Sequence, residues 1–236
     1  MIKMQQISLD NRLSLAYDLY DSCKMAADIG TDHAHLPAAL LERGRCWHMI
    51  LTDISKGALD NARNEIIRRH LSERVSLRLG NGLDPVTEKC DMISIMGMGG
   101  RTIRDILLSG HSHLQGASLL LSAHTDWHLI RSAVQEIGYH LDREDPCFSA
   151  GRYYLILRAR PGAEKLSEQE IRLGGPLFRS ASPVLPAFVQ RRRDVLQERL
   201  FGIRSAAVPD ESEISLLEKD LDFYNRFLSS VKRHPN

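Results

Sequence analysis

Only four cysteines occur in the 236 residues, Cys23, Cys46, Cys90 and Cys147, and they lie far apart. Without a Cys-x-x-Cys pair or a Cys/His spacing that suits zinc, neither a disulfide framework nor a metal site is expected; all four read as reduced, mostly buried thiols. Long apolar runs are missing as well. No stretch reaches the roughly 18 residues that a membrane helix needs, and the start lacks the basic-then-apolar pattern of a signal peptide. The chain is therefore expected in the cytoplasm, away from membranes. An excess of one charge is also absent: the formal net charge is +1, which gives no global argument for a polyanionic partner.

What is present is ordinary for a soluble globular protein, with 43% hydrophobic and 26% charged residues. The length suits one domain plus an appendage. Basic residues do gather locally, at Arg63, Arg68, Arg69, His70, Arg74 and Arg78 and again at Arg191, Arg192 and Arg193. These are either solvated helix faces or basic patches on a protein that is not basic overall.

Strands alternate with helices up to about residue 160. After an amphipathic opening helix carrying Leu13, Leu15, Ala16 and Leu19, strands are expected at 24–30, 47–53, 74–79, 91–97, 118–123, 139–144 and 152–159. Helices are expected at 33–43, 55–70, 99–109 and 125–137. Strand, helix, strand repeated in this way implies a parallel sheet, because right-handed crossovers pack best. The last two strands have no helix between them; the run Asp145 to Gly151 reads as a hairpin-like connection that turns the final strand antiparallel. A parallel α/β sheet with an antiparallel end is the Rossmann-like architecture of class I methyltransferases. Dinucleotide dehydrogenases usually continue the parallel pattern.

Composition changes after Arg160-Pro161-Gly162, dividing the chain into 1–160 and 161–236. The second part reads as a short helix at 164–172, a break at Gly174-Gly175-Pro176, and two long helices, Phe188 to Phe201 and Ile214 to Val231, joined around Val208-Pro209-Asp210. Ile214, Leu217, Leu221, Tyr224, Leu228 and Val231 recur at three- and four-residue steps, so this appendage is expected to be a helical hairpin. It serves either as a structural cap or dimer contact, or as an arm for a large substrate.

The chemistry concentrates where strands end. Met25 to Ile29 is an apolar strand that breaks at Gly30 and runs into Thr31-Asp32-His33-Ala34-His35-Leu36-Pro37, a junction that brings backbone N–H groups close to a ligand. A second acid, Asp53, closes the next apolar run, not far from the roughly 20-residue spacing after Asp28 that nucleoside-binding α/β folds use for ribose. Only Gly30 survives of the three glycines that admit a pyrophosphate, and Asp32 would repel one. The arrangement suits the cation S-adenosylmethionine instead, with Asp53 accepting from the ribose hydroxyls; helix N-capping is the plainer job for such aspartates. Asn81 and Gly82 end the third strand, where an amide can pair with an adenine edge or simply form a turn. The fourth strand ends in Gly97-Met98-Gly99-Gly100, whose glycines let a flat group approach the backbone. They also exclude the Asp/Asn-Pro-Pro-aromatic signature of amino-group DNA methyltransferases, which shifts the expected target from an amino group to a ring nitrogen.

These stretches, Asp28 through Pro37, Gly80-Asn81-Gly82-Leu83, Gly97-Met98-Gly99-Gly100 and Gly151-Arg152-Tyr153-Tyr154, resemble the bacterial tRNA (adenine-22-N1)-methyltransferases, the TrmK family. The resemblance extends over nearly the whole chain, including Gly175-Pro176-Leu177 and the C-terminal helical pair. It implies S-adenosylmethionine-dependent methylation of N1 of adenine 22 in tRNA, by a Rossmann-like domain whose helical partner helps to hold the RNA. It further implies that Asp28, Gly30, Thr31, Asp53, Ile54, Asn81, Gly82, Gly97 and Met98 hold the cofactor, and that Gly99, Gly100, Arg191, Arg192 and Arg193 face the substrate. This chain departs from the pattern at Ser122-Ala123-His124, where members usually carry Gln-Pro-Asn, and at His35, where they carry Tyr. Both departures lie near the expected target-base pocket.

Adenine N1 has a free lone pair, so alignment and desolvation matter more than a strong base, and a paired adenine must first be exposed. The product ring is cationic. Asp32 is the candidate to stabilise that charge, with His33 second and Tyr154 bordering or stacking on the base. Two other readings stay open: a class I methyltransferase of a small molecule or protein, and a non-catalytic adaptor that keeps the fold. The intact acids Asp28 and Asp53 speak against the adaptor.

Overall fold

A computed structural model describes residues 7–206 and 208–233; the extreme ends of the two-part division, 1–6 and 234–236, lie outside them. The first helix, α1 (Asn11–Leu19), leads into β1 (Cys23–Ile29), α2 (His35–Glu42), β2 (Cys46–Asp53), α3 (Lys56–Arg68) and β3 (Val75–Leu79). After a loop come β4 (Met92–Met98), α4 (Gly100–Ser109), β5 (Ser118–Ala123), α5 (Trp127–Glu136), β6 (Tyr139–Ser149) and β7 (Arg152–Pro161). Three helices complete the chain: α6 (Glu168–Leu173), α7 (Leu185–Arg204) and α8 (Glu211–Arg233).

The strands form one sheet in the order β3-β2-β1-β4-β5-β7-β6. The first five are parallel, whereas β7 runs antiparallel to both β5 and β6 and stands one place in from the edge that β6 occupies. The order reverses between β1 and β4, and the crevice outside their carboxyl ends is where open α/β sheets bind ligands.

Two expectations about local structure need correction. The run Asp145 to Ser149 is not a connection; it continues β6, in register with Ile156 through Arg152. Its turn-forming residues misled because their polar groups are used in place: Asp145 is buried and accepts from Arg143 Nε at 2.9 Å, and Pro146 sits on an edge strand, where a missing N–H is tolerated. The true turn is the pair Ala150-Gly151, both at positive φ (48° and 77°), as a tight two-residue hairpin requires. The second correction is at α2, which begins at His35 rather than 33. Ala34 takes a left-handed conformation (φ 52°) just before it, so Asp32 and His33 stand in a loop and cap no helix.

Alternation along each strand sends side chains to two apolar layers. One layer joins Ala27, Ile93, Ile95, Leu119, Leu121 and Leu157 to α4 and α5; the other joins Ala26, Met49, Leu51, Met92 and Leu120 to α1, α2 and α3. The first layer extends past the composition change near residue 160, since Phe188 and Val189 of α7 and Tyr224 and Leu228 of α8 belong to it. Only the far end of the helical pair, around Leu200, Ile214, Leu217 and Leu221, has a core of its own. An ion pair fastens the junction: Arg131 of α5 grips Glu144 of β6 through two bonds of 2.9 Å while donating to the Ile171 carbonyl of α6 at 3.1 Å. All four cysteines are free, three buried and Cys23 half-buried. Among the described residues no helix is long and apolar enough to cross a membrane.

Candidate active site

A cavity of 320 Å³ opens at the carboxyl ends of β1, β4 and β5, with α1 on its far side. The chain leaves β1 at Gly30, whose φ of 76° few other residues adopt. The Gly30 and Thr31 N–H groups both donate to the Thr52 carbonyl, at 2.8 and 3.0 Å, which ties this turn to the end of β2. Met98 lies across Gly30 so closely that a Cβ there would come within 1.9 Å of its terminal methyl. The backbone conformation favours glycine, and a larger residue would also have to displace the flexible end of Met98.

Asp28 is half-buried in the cavity wall, where its Oδ1 accepts from Ser94 Oγ of the neighbouring strand at 2.5 Å. Burial pushes its carboxyl up to about 6, against the pull of that hydrogen bond, and the charge of Asp53 adds to the rise. Thr31 is 1% exposed, and its hydroxyl adds to the downward pull on the Asp28 carboxyl. Asp53 ends β2 with Oδ1 accepting from the Ser55 N–H at 2.7 Å, and Ile54 beside it is 75% exposed, an apolar surface at the ligand edge.

Asp32 and His33 stand at the mouth. Asp32 accepts from Asn61 Nδ2 at 3.1 Å and pairs with His33 Nε2 at 3.2 Å; the His33 ring in turn lies 5.6 Å from that of His35. The opposite wall comes from the bulge in β4. Gly97, with φ 79°, turns its carbonyl to His124 Nε2, which donates at 2.9 Å, and the His124 N–H donates to the Met98 carbonyl at 3.0 Å. Arg12 of α1 reaches the same wall and lies over the Tyr154 ring at 5.2 Å, with His124 at 6.3 Å from that ring.

The fold thus brings Asp28, Gly30, Thr31, Asp32, His33 and Gly97 together in one cavity, with Tyr154 beside it. Asp53, Ile54, Asn81, Gly82, Met98 and Gly99 lie at the ends of β2, β3 and β4, outside its lining. Asn81 is exposed, and Gly82 (φ 51°) packs on Ile106 while its carbonyl accepts from Thr52 Oγ1 at 3.4 Å. Two substrate assignments change. Gly100 is buried, and a Cβ there would sit 2.4 and 2.6 Å from the carbonyl oxygens of Asp126 and Thr125, so it serves the packing of α4 rather than a ligand. Arg191, Arg192 and Arg193 do not form one patch, because successive helical residues point about 100° apart: Arg191 is exposed, Arg192 lies over the Trp127 ring at 5.1 Å, and Arg193 pairs with Asp194 at 2.9 Å.

Sequence reasoning missed Arg12, and it placed His124 near the target-base pocket without giving it a role. Nothing in the sequence marks Arg12, since only the packing of α1 on the sheet carries it there. His124 had a signal in its position directly after the fifth strand.

Comparison with known proteins agrees with this geometry. A family model described as a methyltransferase domain matches residues 9–157. The tRNA (adenine(22)-N(1))-methyltransferase of Bacillus subtilis (strain 168) is 30% identical over 161 residues, covering 67% of this chain and 68% of that one. A Streptococcus pneumoniae protein solved in complex with S-adenosyl-L-methionine superposes with a TM-score of 0.82 at 28% identity, covering 94% of this chain and 100% of that one. The Bacillus subtilis m1A22 tRNA methyltransferase TrmK shares the fold at a TM-score of 0.82 and 24% identity, over 94% of this chain and 99% of that one.

Proposed function

The chain belongs to the family of tRNA (adenine(22)-N(1))-methyltransferases, and from that premise we propose how its residues divide the transfer of a methyl group from S-adenosyl-L-methionine to N1 of adenine 22 in tRNA. The observation that carries the assignment is the Asp28 carboxylate, held by Ser94 with the buried Thr31 beside it, in a cavity at the carboxyl edge of the sheet. That donor set fits the cofactor, because carboxylates and a neutral hydroxyl suit a cationic nucleoside and would repel a pyrophosphate.

Asp28 and Thr31 bind from the inner wall, and Asp53 accepts from the ribose hydroxyls at the end of β2. Ile54, Asn81 and Gly82 flank the adenine, while Gly30, Gly97 and Met98 shape the floor between them. When bound, S-adenosyl-L-methionine supplies an electrophilic methyl group on a sulfonium sulfur. The protein then has to align the adenine lone pair with that methyl and exclude water. No strong base is needed, since N1 of the neutral base carries no proton. The adenine must be unpaired or turned out of its stack to enter. Tyr154, held by Arg12 over its face and His124 near its edge, borders that entrance, together with Gly99. As the ring becomes positive, Asp32 stabilises it, and His33 holds Asp32 in place. The helical pair α7–α8 helps to hold the tRNA, and the reaction belongs in the cytoplasm.

The test is incubation with methyl-labelled S-adenosyl-L-methionine and unmodified transcribed tRNA, followed by nucleoside identification. N1-methyladenosine at position 22, absent from a transcript with another base there, is the expected product. Label at another position or on an exocyclic amine would overturn the reading.

A further inference from the structure

A second concavity lies at the same edge of the sheet. It has a volume of 360 Å³ and runs between the β6–β7 hairpin and α7. Tyr153 and Tyr154 explain why there are two. As neighbours on β7 they point to opposite faces: Tyr154 joins Arg12 and His124 at the first cavity, whereas Tyr153 joins Phe148 at 4.9 Å and Phe188 at 5.9 Å in the second. Trp127, only three residues beyond His124, closes the far wall 5.6 Å from Phe188.

The lining is aromatic and basic. Phe148 is 45% exposed although it is large and apolar, and the hairpin tip beside it is open, with nothing within 4 Å of where a Gly151 side chain would begin. Arg152 and Arg191 stand exposed at the rim, and Arg192 lies over the Trp127 ring at 5.1 Å. None of the residues around the cleft is acidic. Aromatic faces with guanidinium groups at the rim, and no carboxylate, complement a flat base joined to a phosphate. Asn11 Nδ2 donates to the Phe148 carbonyl at 3.0 Å, so the helix that carries Arg12 to the first cavity also braces the second.

Resting on the RNA-methylation reading above, we propose that this cleft holds an unpaired nucleotide of the tRNA adjacent to the target adenine. Its base lies against Phe148, Tyr153 and Trp127, and its phosphate faces Arg152 and Arg191. The site would keep the strand open on one side while the target enters the neighbouring cavity.

The experiment uses the full-length protein and unmodified transcribed tRNA. Trp47, the other tryptophan, is 73% exposed on β2 and is replaced (Trp47→Phe), leaving Trp127 as the single tryptophan reporter. Adding tRNA should change Trp127 emission, and Phe148→Ala should abolish most of that change. Phe148→Ala and Arg152→Gln should each raise KM for tRNA by about tenfold while kcat and S-adenosyl-L-methionine affinity stay within twofold. An unchanged KM in Phe148→Ala overturns the proposal, even if Arg152→Gln is impaired, because that pattern means backbone attraction without a seated base. Absence of methylation by the unaltered protein would instead defeat the parent reading, so the two failures are distinct.

Discussion

Ser94 Oγ on β4 donates to Asp28 Oδ1 on β1 at 2.5 Å, across the point where the strand order reverses. The bond holds a carboxyl in the cavity wall whose pKa burial pushes up to about 6.

The pH dependence follows with a definite sign. Asp28 is raised on folding from 3.8 to about 6, so its contribution to stability is fully present below pH 3.8 and is lost as the pH rises through 6. Asp28→Asn should therefore be more stable than the unaltered ligand-free protein at pH 7.5, by up to about 3 kcal/mol, and no more stable at pH 3.5. Urea denaturation at the two values checks this. Cofactor affinity should run the other way in the unaltered protein, falling as the pH drops below 6 and the carboxylate is neutralised.

Asp53 should act on binding alone. Asp53→Ala is expected to weaken S-adenosyl-L-methionine by about 1–3 kcal/mol through lost hydrogen bonds to ribose. Calorimetry on the folded variant measures it; unchanged affinity would remove the ribose assignment.

Asp32 should act on turnover. Asp32→Asn keeps the hydrogen-bonding shape toward Asn61 but removes the charge, so kcat should fall about tenfold or more while cofactor affinity changes little. A matching loss of affinity would recast Asp32 as a cofactor ligand.

Arg131 and Glu144 are 2% and 0% exposed, so removing one partner strands a buried charge. Arg131→Met or Glu144→Leu alone should cost about 3–5 kcal/mol, and the double replacement less than either. Thermal unfolding gives the order. Because Arg131 also binds the Ile171 carbonyl, Arg131→Met should also make α6 easier to cleave by protease.

Arg191 and Arg193 of α7 should behave differently from each other. Arg191→Gln should reduce the slope of log tRNA affinity against log salt by about 0.7–0.9, the loss of one phosphate contact. Arg193→Gln should leave it unchanged, because Arg193 is paired with Asp194. An equal effect of both would mean that Asp194 gives way when RNA binds.

Much of this was legible in order along the chain, because it depends on local chemistry. Apolar runs of alternating strand and helix period set the sheet; Gly30 and Gly97, at positive φ, mark where the backbone turns toward a ligand; Asp28 and Asp53 close adjacent parallel strands, whose carboxyl ends necessarily point the same way. Even the antiparallel last strand could be read, from the missing crossover helix. What the sequence could not decide depends on contacts between distant residues. Asp145 and Pro146 look like a turn until Arg143 and an edge position accommodate them in β6. Gly100 looks like a ligand contact until the carbonyls of Thr125 and Asp126 close over it. Arg12 acquires a place in the cavity only when α1 packs beside β7, and three consecutive arginines become one ring-stacked, one ion-paired and one exposed side chain only when α7 docks. Periodicity and turn chemistry are properties of neighbours in sequence; the partners that complete a buried charge or a cavity wall are supplied by the packing of the whole chain.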